Sequence, residues 1–201
     1  MKCFVILGYV RIGNLLTKKT TSKYNIAKNS DSMLIFHEDS EHPVAFVSMQ
    51  DLSLSTLFEV IESHKFLTLP RLSSQNVMDQ LCPSESSKTK KKLCVILLNN
   101  GKNVHEFPEE EAKRTHLRSF VLHHTEFSPD RVRFVYLLKD IQTDFANALV
   151  TPQDKQDLNL AIVWRKETNK LKYEWFQSTW SSEQSNKSQE ELKMTLDKLL
   201  R

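Results

Sequence analysis

A chain of 201 residues, 39% hydrophobic and 26% charged, has the composition of an ordinary globular protein, which excludes a fibrous or wholly disordered chain and leaves room for one large domain or two small ones. The formal charge of +3 is too small to demand a polyanionic partner. Four lysines cluster at Lys88, Lys90, Lys91 and Lys92, a run that reads as a solvated linker and not as a nucleic-acid footprint, so no nucleic acid is expected as a partner.

The opening Met1–Val10 superficially resembles a signal peptide, but its apolar core is short, is followed by Arg11 and lacks a small-residue cleavage site. A strand over 3–7 is the better reading, with Cys3 a buried strand residue. A short helix is expected within 13–24, ending near Tyr24-Asn25-Ile26. Met33-Leu34-Ile35-Phe36 and Val44-Ala45-Phe46-Val47, separated by a polar turn, read as a hairpin, and Pro43 suits the second strand to a sheet edge. Asp51 or Ser53 then offers an N-cap to a helix in which Leu54, Leu57, Phe58 and Ile61 share one face. A hairpin and one helix make the closing half of something larger, which gives 1–68 as a partial domain.

The remainder, 69–201, reads as a domain of its own. After a short strand near 66–69, Ser73 or Ser74 caps a helix over 74–81 that Cys82-Pro83 ends, and 84–92 is a polar connector. The run Leu93-Cys94-Val95-Ile96-Leu97-Leu98 is unbroken and apolar, as a central strand buried on both faces should be. Asn99-Asn100-Gly101 turns the chain, and Pro108 followed by Glu109, Glu110 and Glu111 marks the start of a helix over 108–123, where carboxylates suit the positive end of the dipole. Val132–Leu138 is a strand. Ile141, Phe145, Ala148 and Leu149 give the inward face of a helix, Leu160–Trp164 and Lys170–Phe176 a hairpin, and 189–200 a closing helix striped with leucine.

The order β, α, β, α, β, β, α predicts an α/β fold with a mixed central sheet flanked by helices, in the thioredoxin-like arrangement. The hairpin and helix of 33–65 repeat the pattern of 160–200, so the second half of that fold occurs twice.

Particular residues carry a further resemblance: Lys23-Tyr24-Asn25-Ile26, Met33-Leu34-Ile35-Phe36-His37-Glu38, Arg71-Leu72-Ser73-Ser74-Gln75, Leu81-Cys82-Pro83, Leu93–Leu98 and Val132-Arg133-Phe134-Val135. In their order and spacing, from about residue 15 onward, they resemble the DnaJ homolog subfamily C member 16 family, endoplasmic-reticulum J-domain proteins with thioredoxin-like modules. The resemblance implies a membrane-anchored co-chaperone whose J domain engages Hsp70. These residues contain no His-Pro-Asp triplet and no run of membrane-spanning length, so a fragment or short isoform is expected, soluble by itself, with no direct Hsp70 activation and with membrane association only through parts outside it. The resemblance also implies protein partners, the endoplasmic-reticulum membrane as location and a link to autophagosome organisation.

Thioredoxin-type exchange needs two thiols at the start of the helix after the central strand. Asn99–Phe107 contains no cysteine, and Asp31-Ser32 occupies the place before the first hairpin where the family puts a cis-proline. The expectation is therefore a noncatalytic protein-binding scaffold without a cofactor; the alternative is a weak thiol-disulfide oxidoreductase using Cys82 and Cys94. Those two are candidates for a disulfide, since one ends a helix and the other lies early in the central strand, and equally for two small buried thiols. Adjacent His123 and His124 project in different directions, and His116 with His123 lacks a third ligand, so no metal site is expected. Asn186-Lys187-Ser188 matches an N-glycosylation acceptor in a polar loop. Trp175, Phe176 and Trp180 are the candidates for an exposed aromatic recognition surface, against the reading that they pad the sheet beneath the last helix.

Overall fold

The computed structural model describes residues 3–7, 9–13, 18–26, 31–37, 41–84, 91–101, 108–149, 158–167, 170–181 and 185–201. Its contacts divide the chain into Met1–Thr68 and Leu69–Arg201. Most of the connector 84–92 and of the segment after Gly101 falls outside the described residues, as does the side chain of Cys3.

In the first unit β1 (Cys3–Leu7), β2 (Tyr9–Gly13), β3 (Asp31–Phe36) and β4 (Ala45–Met49) form a sheet in the order β2-β1-β3-β4, with α1 (Lys18–Lys23) and α2 (Leu54–Ser63) completing it. Strand β2 is an addition to the sequence reading, whose short helix within 13–24 is α1. Val10 and Ile12 do alternate with polar or small neighbours, but Arg11 and Gly13 break the apolar signal. Asn25 closes the end of α1 in the left-handed region at φ 49°, which asparagine tolerates better than most residues.

Strand β3 organises this unit because both of its faces are apolar. Leu34 and Phe36 pack with Ile26 and Tyr24 on one side, while Met33 and Ile35 pack with Leu52, Leu57 and Ile61 on the other. Asp31 and Ser32 lie within β3, not in a turn before it, and Ser32 Oγ meets Ser48 Oγ of β4 at 3.0 Å. Ser53 caps α2 by accepting from Thr56 N at 3.2 Å. The outer face of α2 leaves Leu54 and Phe58 74% and 66% exposed, so the apolar set read from the sequence divides between core and surface.

The second unit contains α3 (Gln75–Leu81), β5 (Leu93–Asn99), α4 (Pro108–His123), β6 (Val132–Leu138), α5 (Thr143–Ala148), β7 (Leu160–Glu167), β8 (Lys170–Trp175) and α6 (Ser185–Leu200). Its sheet runs β6-β5-β7-β8, with β5 parallel to β6 and antiparallel to β7, and β7 antiparallel to β8. Every residue of β5 is buried, as its unbroken apolar sequence requires. Val95 and Leu97 face a core with Leu117 and Phe120 of α4 and Leu192 and Leu196 of α6.

The strand expected near 66–69 is reduced to one parallel bridge, Arg71 to Tyr136, flanked by hydrogen bonds from Leu72 N to Tyr136 O and from Tyr136 N to Pro70 O. Pro70 has no N–H to donate and stops the pairing from extending. Helix α5 begins only at Thr143, so Ile141 lies outside it and is largely exposed, and Ala148 is exposed, whereas Leu149 is buried. The hairpin β3-β4 with α2 repeats the hairpin β7-β8 with α6. The likeness stops at the neighbouring strand, since β1 runs parallel to β3 whereas β5 runs antiparallel to β7.

Candidate functional site

The junction between β5 and α4 is where a thioredoxin would hold its redox thiols. Here the strand end and the helix start are joined by a side-chain amide and a carboxylate. Asn99 Nδ2 donates to Glu110 O at 2.9 Å and to Glu110 Oε2 at 2.7 Å, and Asn100 N donates to the same oxygen at 3.1 Å. Lys113 Nζ closes on Glu110 Oε1 at 2.8 Å. Glu110, expected only as a first-turn carboxylate, is buried and ties the helix to the strand; a buried carboxylate is stable only with such partners. Gly101, at φ 86°, donates its N–H to Asp140 Oδ2 at 2.7 Å, so the same end of β5 is also pinned to the turn after β6.

On the other side of the sheet the structure joins Cys82 and Cys94 in a disulfide, with Cα atoms 5.6 Å apart. Cys82 is the C-cap of α3, and Cys94 sits in β5 between Arg133 of β6 and Val163 of β7. Both half-cystines are buried. Beside them Arg165 Nη1 donates to Asp79 Oδ1 at 2.6 Å and to Cys82 O at 3.2 Å. The Arg165 guanidinium, and after it the Gln75 amide, hold the Asp79 carboxyl below the usual carboxylate range. Neither Arg165 nor Arg133 is singled out by the sequence. Arg165 follows an apolar run and reads as the start of a turn, yet β7 continues to Glu167 through a register shift and keeps Arg165 in the interior.

Trp175, Phe176 and Trp180 are 6%, 2% and 0% exposed, which corrects the expectation of an exposed recognition surface. Trp180 lies edge-on to Phe120 with centroids 6.0 Å apart, stacks on His116 at 4.6 Å and donates Nε1–H to Lys113 O at 3.2 Å. Its backbone is held by Asn159, whose Nδ2 donates to Trp180 O at 2.8 Å and whose Oδ1 accepts from Trp180 N at 2.9 Å. Large rings beside a polar loop are read equally well as core or as surface, and here the reciprocal amide pair with Asn159 draws the loop inward.

Asn186 lies in the first turn of α6, not in a loop before it; its side chain is exposed while Ser188 of the same triplet is buried. The histidines have packing and helix-end roles: His123 Nδ1 lies 2.7 Å from Ser119 O, and His124 packs on Phe120 at 4.3 Å. Among the described residues there is no cluster of three or more histidine, cysteine or acidic side chains, and no helix long and apolar enough to cross a membrane.

A mixed sheet in this strand order, between α4 and α6 on one face and α3 on the other, defines the second unit as a thioredoxin-like module. The bb fragment of ERp72, a solved structure, shares the fold at a TM-score of 0.52 and 9% identity, over 90% of this chain and 73% of that one. The chain belongs to the DnaJ homolog subfamily C member 16 family: the family model described as DJC16, Thioredoxin-like domain 3, matches residues 71–201, and DJC16, Thioredoxin-like domain 2, matches residues 1–64. DnaJ homolog subfamily C member 16 of Mus musculus is 29% identical over 189 residues, covering 92% of this chain and 23% of that protein. The Homo sapiens protein of that name is 28% identical with the same shares, and that of Gallus gallus 27% identical over 88% of this chain and 22% of its own. The chain thus spans less than a quarter of the length of these curated relatives.

Proposed function

We propose that this chain serves as a noncatalytic protein-binding scaffold within a DnaJ-type co-chaperone of the endoplasmic reticulum. The observation that carries this reading is that Asn99–Phe107, the stretch that would have to supply an attacking thiolate, contains no cysteine, while Asn99 and Glu110 at either side of it form a buried amide–carboxylate pair. Membership of the family supports protein partners and an endoplasmic-reticulum setting, and the link to autophagosome organisation belongs to the same reading. The membrane attachment and the Hsp70-directed step would come from other parts of the full-length protein.

A second reading, a weak thiol-disulfide oxidoreductase, draws on the Cys82–Cys94 bridge. Burial of both sulfurs opposes it, because exchange requires in-line access of a thiolate to one of them. Insulin reduction by the full chain with dithiothreitol separates the two. The scaffold reading expects no turnover above the protein-free rate; turnover lost in Cys82→Ser would overturn it. Proximity labelling from the chain targeted to the endoplasmic reticulum tests the binding half. Reproducible enrichment of particular proteins over a secreted control protein is expected, and labelling no different from that control would remove the scaffold reading.

A further inference from the structure

Next to the disulfide the second unit contains a cavity of about 160 Å³ into which Lys92, Arg131, Arg133, Arg165 and Asp130 all converge. Arg165 is matched by Asp79 at 2.6 Å. Among the described residues Arg131 donates to carbonyls, its Nε to Lys91 O and its Nη2 to Leu200 O, each at 3.2 Å; these bonds orient the guanidinium without neutralising it. Among the described residues Asp130 is the one carboxylate that lines the cavity, and its charge acts on Arg133.

Arg133 is the group left unsatisfied. Its guanidinium is half-buried on β6, in register with Cys94, and makes no hydrogen bond to a described residue. Burial pushes its pKa down from the ordinary arginine value and Asp130 opposes that fall, so the cation is losing water without gaining acceptors. A guanidinium carries five N–H donors in a planar fork whose spacing matches the two oxygens of a carboxylate or a phosphate. The cavity beside it is below the roughly 300 Å³ at which pockets for drug-sized ligands begin, which fits a single oxyanionic group and not a nucleotide.

We propose that this cavity is an oxyanion-binding site in which the Arg133 fork, supported by Arg131, receives a carboxylate or phosphate group against the wall formed by the Cys82–Cys94 bridge. The bridge keeps α3, and with it the Arg165–Asp79 pair, fixed against β5, so the rim is held in place before the anion arrives. Because Arg165 is already matched by Asp79, the anion is received on the Arg133 side. The site goes beyond the scaffold reading and does not depend on it. A protein partner would supply the group as an acidic side chain or chain terminus, and solvent as inorganic phosphate.

Isothermal titration of the full oxidised chain with sodium acetate and, separately, with inorganic phosphate at constant ionic strength tests the proposal. Saturable binding of at least one anion is expected, with acetate alone pointing to a carboxylate source and phosphate alone to a phosphate source. Arg133→Gln should weaken it by about tenfold or more, the usual scale for losing a charge-assisted hydrogen bond. Lys172→Gln removes the same charge from exposed β8 and should change it by no more than about twofold. Asp130→Asn removes the competing carboxylate and should tighten binding, an effect that misfolding would not mimic. The proposal is overturned if neither anion binds, if Arg133→Gln leaves the affinity unchanged, or if Lys172→Gln weakens it equally.

Discussion

Arg165 and Asp79, 86 positions apart in the chain, meet at 2.6 Å, and the same Arg165 nitrogen also reaches the carbonyl of Cys82. A residue in the middle of the sheet thereby fixes the last turn of α3, the turn from which the disulfide departs. The depressed pKa of Asp79 sets the sign of the pH dependence. Its contribution is fully present above the unfolded-state value of about 3.9 and is lost as pH falls through the lower folded-state value. The difference in urea midpoint between the natural chain and Asp79→Asn should therefore be constant above about pH 5 and shrink below about pH 4. A difference that grows on acidification would contradict the pairing.

Glu126 gives a second acid-sensitive point. Lys193 of α6, ahead of a local backbone hydrogen bond and His124, lowers its pKa to about 2 through a 2.8 Å contact that joins the loop after α4 to α6. The sign is again that of a depressed carboxylate, with stability present above about pH 4.5 and lost between there and about pH 2. Both side chains are 44% exposed, so screening reduces the effect to under about 1 kcal/mol. Replacing Lys193 with Met should raise the Glu126 pKa toward its ordinary value, as measured by NMR titration of its side-chain carboxyl carbon.

Removing the Cys82–Cys94 bridge should cost about 3 kcal/mol, the chain-entropy value for a loop of this size. Cys82→Ser, Cys94→Ser and the reduced natural chain should unfold at the same, lower denaturant concentration. With three cysteines in the chain and two in the bridge, thiol titration of the denatured protein should return one free thiol before reduction and three after it.

Trp180→Ala should destabilise the protein by about 3–5 kcal/mol, as expected for a large ring removed from a fully enclosed site, and Trp180→Phe by less. Urea unfolding followed by circular dichroism measures both. Near-neutrality of the alanine variant would return Trp180 to the surface role that its sequence context suggested.

The central strand was legible because six consecutive buried positions, Leu93–Leu98, leave an unbroken apolar run, a pattern that few other elements produce. The caps Ser53 and Ser74 and the proline and carboxylates opening α4 were equally legible, since their effects act within one turn. What escaped depended on distant partners. Arg165 is an interior residue only because Asp79 lies beside it, and Glu110 leaves the surface only because Asn99 donates to its carboxylate at the strand end. The aromatic trio was ambiguous for the same reason, because the Asn159 bonds that turn Trp180 inward span 21 positions.

The division at residue 68 carries its own expectation. Leu69–Arg201 holds a sheet with helices on both faces and should unfold cooperatively as a separate monomer, whereas Met1–Thr68 is of a size at which burial is marginal and should not. Chemical denaturation of the two pieces checks this: a cooperative monomeric transition from 1–68, or none from 69–201, would refute it.

The two hairpins end in outer strands of different character. Strand β8 opens with Lys170-Leu171-Lys172, all exposed, and pairs with β7 through an irregular register, so an incoming strand would meet lysines and a twisted, interrupted ladder. Strand β4, Ala45-Phe46-Val47-Ser48-Met49, has no charge, and leaves Phe46 and Met49 46% and 47% exposed. Lysines and bulges are the devices by which natural sheets block edge-to-edge growth. The β8 edge of the second sheet is therefore guarded against templating another chain while the β4 edge of the first sheet carries no such device, which makes β4 a point from which cross-β stacking would start in concentrated solution and a single Phe46→Lys change an economical way to stop it.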